Sequence, residues 1–393
     1  MIGNRHLQIK SRPNRQILSA SIAAYLYLVS NSELFAEDYI SAKWQDYNED
    51  DDRIRVISRY LGFEKQINAS LALKGHGVND VISGATPLGT PSEDEGETVP
   101  LSNLADERNA GVVDLVWTQG ASTTNFQYSY SKESDFLSKG YSISRTTEFN
   151  KRNTGVSVGV SFIDDDVEPA FFLEKEEKTS WDFFVGLSQV VNPNTVVTLN
   201  YTYSVFDGYL NDPYKSIQQE TEILPGLTLP LAFSENRPGE RLRRIWFSNI
   251  KTFVEPLNGS LDVDFRYFSD SWGIDSTTLG ISWYQKIGEK WIVRPNVRLY
   301  DQSAADFYYV DLEGVDFTAL DVPDGSAPNY SSDYRLAELQ TFSYGLKLVY
   351  QLNDHFHFDV AYERYEMEGQ DGITSQAAFP DANITTLGAR LWF

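Results

Sequence analysis

Cysteine is absent from all 393 residues, which excludes a disulfide framework, thiolate-ligated metals and haem attachment through Cys-x-x-Cys-His. Histidine is scarce: His6, His76, His355 and His357 are the four, and no G-x-S-x-G, H-E-x-x-H or phosphate-cradling glycine loop accompanies them. The chain therefore reads as a non-enzyme with no cofactor. A hydrolase drawing Ser, His and Asp from neighbouring strands is the one enzymatic arrangement left open, because such triads are geometric and not sequential. Basic residues are also short, 33 Lys and Arg against 56 Asp and Glu for a net charge of −23, so no basic stripe offers phosphate contacts and a nucleic-acid partner is not expected. Beyond the N-terminus no stretch approaches the roughly 18 apolar residues that a membrane-crossing helix needs.

What is present begins with an address label. Arg5, Lys10, Arg12 and Arg15 precede the apolar run "ILSASIAAYLYLV", residues 17 to 29, and Ala36 offers a small residue for cleavage. This is the pattern of a secretory signal over residues 1–36, with Leu34 an imperfect residue at the −3 position. Residues 37–393 are then expected to form a single domain.

From about residue 38 onward the apolar residues recur with period two. In "TGVSVGVSF" Val156, Val158, Val160 and Phe162 share one face against Ser157, Gly159 and Ser161; "VVTLNYTYSV" and "TNFQYSYS" repeat the alternation. The segments run longer than the five or six residues usual in soluble sandwiches, and match transmembrane strands. Tight turns at Lys65-Gln66, "NPNT" (192–195), "IGEK" (287–290) and "NDH" (353–355) alternate with long acidic or Pro/Gly-bearing segments near 80–108, 164–178, 208–240, 302–335 and 368–381. Short periplasmic turns and long extracellular loops are the habit of outer-membrane barrels. The expected fold is an all-β transmembrane antiparallel barrel of about sixteen strands, within fourteen to eighteen, in the bacterial outer membrane. The strands begin near residues 38, 52, 69, 109, 122, 138, 153, 179, 195, 241, 259, 275, 289, 337, 355 and 382.

The chain stops on "GARLWF" with no polar tail. An unpaired edge is prohibitive in lipid, so "NITTLGARLWF" is expected to close the barrel, with Leu387, Ala389, Leu391 and Phe393 toward lipid. Leu391, Trp392 and Phe393 also resemble the terminal signal read by the bacterial barrel-insertion machinery.

"DVISGATP" (80–87), "NDPYK" (211–215), "ENRP" (235–238) and "SDYRL" (332–336) resemble the recurring motifs of the domain of unknown function 3570 family. The resemblance implies a bacterial outer-membrane barrel over most of the mature chain and supplies no catalytic residue. Members are often encoded beside a thioredoxin-like protein and a periplasmic flavin transferase, so it also implies periplasmic redox proteins as partners.

Function must then come from the lumen. The parity opposite the lipid face puts Arg55, Arg59, Lys74, His76, Asp262, Asp264, Arg266, Arg294, Arg298, Lys347, His357, Asp359 and Glu363 inside as pore-lining residues. Facing acidic and basic ladders can orient small polar solutes in a water-filled pore, or pair and brace a plugged one. The acidic runs "NEDDD" (48–52), "SEDEGE" (92–97) and "DDDVE" (164–168) lack calcium-loop spacing and read as solvated loops, leaving metal binding open. Tyr308 and Tyr309 read as part of the interfacial aromatic girdle ahead of a sugar-stacking pair. The expected function is a porin-like channel for small polar or charged solutes in contact with outer-membrane lipid. The alternative is a non-conducting structural or assembly partner of an exported redox system.

Overall fold

The computed structural model describes residues 38–89, 101–168, 175–313, 315–316 and 323–393. The expected signal segment 1–36 and the acidic run 92–97 lie outside them. The period-two segments form strands of 11 to 19 residues in the barrel. These are β1 (Tyr39–Glu49), β2 (Arg55–Asn68), β3 (Leu71–Pro87), β4 (Leu101–Gln119), β5 (Ser122–Lys132) and β6 (Phe136–Phe149). Next come β7 (Thr154–Val167), β8 (Glu176–Asn192) and β9 (Thr195–Gly208), then a separate hairpin, β10 (Ser216–Leu224) and β11 (Leu227–Ser234). The wall resumes with β12 (Glu240–Val254), β13 (Gly259–Asp270), β14 (Asp275–Ile287), β15 (Trp291–Gln302), β16 (Leu339–Asn353), β17 (Phe356–Gly369) and β18 (Ala382–Trp392).

All of these except the hairpin pair with their neighbours in chain order, and β1 zips to β18, so sixteen strands close one antiparallel barrel. Closure is complete to the last residue: Phe393 N donates to Asp38 O at 2.9 Å and Trp392 N to His355 O at 2.8 Å. A sheet without an edge satisfies its backbone internally, which is the condition for crossing lipid.

The two faces of the wall are inverted relative to a soluble protein. Leu61, Phe183, Val185, Leu199, Trp246, Leu346 and Leu387 are exposed on the outside. Ser58, Asp114, Ser161, Ser204, Asn249, Thr278 and Ser343, of opposite parity, are buried on the inside. Apolar area of this kind is stable only against an apolar solvent.

At the rim that holds Tyr39 and Phe393 the connections are short, for example 193–194, 288–290 and 354–355. The turn expected at Lys65-Gln66 lies inside β2, which continues to Asn68 before the chain reverses at 69–70. The opposite rim carries the long connections, but 50–54, 133–135 and 271–274 there are tight as well. The described residues of connections 209–239 and 303–338 fold together over this rim with 370–381, and we call this layer the cap. The apolar core of the described residues is concentrated in it. One cluster joins Tyr334, Ala337, Leu339, Ala378 and Phe379, a second Trp272, Ile274, Ala305, Phe307 and Leu336, and a third Ile217, Leu312 and Tyr330.

Candidate functional site

Register decides which side chains enter the barrel, because residues paired across neighbouring strands point the same way. Lys74 and His76 on β3, Asp262, Asp264 and Arg266 on β13, Arg294 and Arg298 on β15, Lys347 on β16, and His357, Asp359 and Glu363 on β17 all share the parity of the buried inner residues. Arg55 and Arg59 do not, which corrects their placement in the lumen. They share the parity of Leu61 and Phe63, exposed by 66% and 38%, and point outward. Arg55 ion-pairs with Asp46 at 2.6 Å and Arg59 reaches Asn79 at 3.2 Å. Both sit in the half of β2 nearer the loop rim, on either side of outward Ile57, where long charged side chains can reach polar partners. In the closing strand Leu391 and Phe393 point outward, exposed by 45% and 61%. Trp392 turns inward, its ring 4.5 Å from that of His357.

The inner wall has two chemistries. Along β5 to β9 it is lined mainly by Ser, Thr, Asn and Gly, among them Ser129, Ser142, Ser157, Ser161, Asn200 and Ser204. Along β12 to β17 it is charged. Lys251 pairs with Asp262 at 3.4 Å and Lys347 with Asp359 at 2.8 Å, while on β2 and β3 Lys74 pairs with Glu64 at 3.1 Å. Asn296 donates to Glu363 at 3.2 Å. Among the described residues Arg266, Arg294, Arg298 and Asp264 form no ion pair.

The most enclosed polar group lies in the cap, and it draws together the motif segments that are far apart in sequence. Arg237 ion-pairs with Glu235 at 2.6 Å and with Asp333 at 2.8 Å. Arg335 donates to Asp333 at 2.8 Å and to Asp212 at 3.0 Å. Ser331 Oγ donates to Glu235 at 2.6 Å, and Asn211 accepts from Arg237 N at 2.6 Å. Lys215 Nζ donates to Pro87 O at the end of β3, next to the 2.9 Å bond from Ser216 N to Leu88 O. Three carboxylates thus face three cations, a neutral set, as burial of charge demands.

Their titration follows from geometry. Burial raises Asp212 and Glu235 above the ordinary carboxylate range despite their arginine partners. Burial also acts upward on Asp333, but Arg335, Lys215 and Arg237 outweigh it and hold this carboxyl well below that range. Lys215 is pushed down to about 8 by loss of water, against the pull of Asp333. None of these residues stood out as a site in the sequence; the signal was their membership of the quoted motifs.

The cap sits in the mouth and not beside it. Tyr334 meets Phe379 edge-on at 5.7 Å, and their cluster packs on Tyr300 and Met367, which point into the barrel from β15 and β17. Gln302 at the end of β15 donates to Ala337 O at 2.8 Å. Tyr308, expected in the aromatic girdle, belongs to this core instead, its hydroxyl 2.6 Å from Thr374. Of the acidic runs, Asp165 and Asp166 lie within β7 and pair with Lys178 at 3.4 Å and Lys175 at 2.7 Å.

An inverted, edgeless sixteen-strand wall with short turns at one rim defines the fold of outer-membrane β-barrels. The chain belongs to the family described as "Protein of unknown function (DUF3570)", whose model matches residues 16–174 and 171–384. Among solved structures it is similar to a bacterial polysaccharide outer membrane secretin, at 7% identity and TM-score 0.50 over 92% of this chain and 100% of that one. It is also similar to the siderophore receptor PirA from Pseudomonas aeruginosa, at 11% identity and TM-score 0.44 over 91% of this chain and 62% of the receptor, so it spans less than two thirds of that protein. These likenesses concern the fold alone. No curated protein matches the sequence.

Proposed function

We propose that the protein is a channel of the bacterial outer membrane for small polar or charged solutes, its outer mouth narrowed by the cap, and that it carries out no chemistry of its own. The observation that supports this reading is the exposure of inward cations. Lys43, Lys251, Arg298 and Arg390 have the parity of the inner face, yet all are exposed to solvent. A lumen filled by its own side chains would cover them, and a charged side chain is stable there because water reaches it.

Sixteen strands give a barrel of the size class that leaves an aqueous passage. The charged wall and the hydroxyl-rich wall then face one passage with different polarity, an arrangement that orients solutes by their dipoles and charges. Purified protein reconstituted into planar bilayers tests the reading: discrete conductance steps are expected in simple salt. A folded barrel, verified by its shifted migration on unheated gels, that conducts nothing would reject the channel in favour of a structural or assembly role.

A further inference from the structure

Most inward cations of the described wall have settled their charge locally, on a carboxylate or an aromatic face. Lys347 and Lys251 take carboxylates, and Arg243 lies over the Phe206 ring at 4.1 Å. Arg266 has no ion pair, hydrogen bond or aromatic contact among the described residues. Among the described residues Arg298 has only the Tyr300 ring, 5.7 Å away, and Arg294 only that of Tyr284, also at 5.7 Å, its buried Nε donating to none of them. A guanidinium offers five donors in a fixed fork that matches an oxyanion.

Placement makes Arg266 and Arg298 a pair. Arg298 is level with Gly280, which is level with Asp264; Arg266 stands one inward step further along β13, level with Thr278 and Tyr300. β13 and β15 are two strand spacings apart, about 10 Å, so the two guanidiniums can converge over the intervening strand. That strand carries no side chain at the crossing. A Cβ on Gly280 would come within 2.5 Å of Asp264 Oδ1, so the bare position is what lets Asp264 lean into the gap. Among the described residues Asp264 also forms no ion pair. Tyr300, beside Arg266 in register, is packed against the cap cluster, which places the group just beneath the cap.

We propose that Arg266 and Arg298 form a binding site on the lumen wall for small multivalent oxyanions bearing phosphoryl or carboxylate groups, with Arg294 two inward steps below Arg298, past Asn296. Asp264 is its built-in counter-charge. A monovalent anion gains little by competing with this carboxylate, whereas a multivalent one engages both forks and outweighs it. The site deepens the channel reading, on which its access from solution rests, by naming the class of solute that lingers beneath the cap.

Calorimetry on the full folded barrel in detergent tests it, with pyrophosphate as the phosphoryl probe and citrate as the carboxylate probe. Saturable binding of at least one is expected. Arg266→Gln and Arg298→Gln should each weaken it about tenfold or more, the loss expected for one charge-assisted fork. Arg266→Lys and Arg298→Lys, which keep the charge and lose the fork, should weaken it as well, and Asp264→Asn should tighten it. Absence of saturable binding of both probes, or lysine variants that bind like the unmutated protein, would overturn the site. Bilayer recording separates this from the channel reading: binding by a barrel that does not conduct retains the site and rejects the channel, and conduction without binding rejects the site alone.

Discussion

Between the rims, Phe183, Val185 and Leu199 are exposed outside while Ser161, Ser204 and Asn249 are buried inside; in the cap, a few residues beyond the strand ends, Ile217, Leu312 and Tyr330 are buried instead. One chain thus obeys the same burial rule against two solvents. Where lipid surrounds it the apolar side chains go out, and where water does they go in. The cap behaves as a small soluble domain, held at its centre by a neutral ion cluster that three or more chain segments must complete. The wall needs no such cluster, because its ladder of backbone bonds already fixes the register.

The largest effect is expected in the cap. Asp333→Ala leaves Arg237 and Arg335 without a main partner in a buried place, a loss of about 3 to 5 kcal/mol. The expected result is rapid proteolysis within 209–239 or 303–338 while the barrel still shifts on unheated gels; loss of both together would mean that the two layers are not separable. Next in size, Leu199→Arg on the outer face should cost about 2 to 4 kcal/mol near midplane, measured by urea unfolding from lipid vesicles. Its neighbour Thr198→Arg, which points into the lumen, should cost much less. Equal costs would contradict the inverted wall.

A smaller effect separates the two inner walls. Arg294→Ala with Arg298→Ala should move the reversal potential in a salt gradient toward cation preference, because Asp264 and Glu363 stay behind. Ser161→Ala on the hydroxyl-rich wall should leave it unmoved.

The smallest is a pH slope in the cap. The unfolded cap holds the Lys215 proton up to an ordinary lysine value near 10.4, and the folded cap only to about 8. Between those values the unfolded form binds more protons, so closure is favoured as pH rises through the window. Below about 8 both forms are protonated and the cost of burying the ammonium group is felt in full. Protease nicking of the cap should therefore slow from about pH 8 to pH 10, and Lys215→Met should flatten the slope. Asp333, held low by Arg335, Lys215 and Arg237, acts oppositely in acid, its contribution being lost as pH falls below the ordinary carboxylate range.

The wall was legible because its signal is local. Alternation as in Val156, Val158 and Val160 is a property of each strand alone, and expected starts such as 122, 195, 259 and 275 coincide with those of β5, β9, β13 and β14. Legibility failed where the environment changes along a strand. At Arg55 and Arg59 charges flank Ile57 on the outward face while Val56 and Tyr60 stand on the inward one, so polarity no longer tells inside from outside. β4 begins at Leu101 and not near 109 for the same reason. The cap was invisible because its contacts are long-range: Asn236 bridges to Tyr330, and Arg335 reaches Asp212. Nothing local in "ENRP" or "SDYRL" says that their charges meet.

That the inward face of this barrel is the aqueous one is directly measurable, because the chain has no cysteine. Single-cysteine variants Lys251→Cys and Arg298→Cys on the inner face, and Val185→Cys and Leu199→Cys on the outer, are reconstituted into lipid vesicles and treated with a membrane-impermeant charged maleimide. Rapid modification is expected at 251 and 298, and protection at 185 and 199. Protection at 251 and 298, or modification at 185 and 199, would contradict an aqueous inner face.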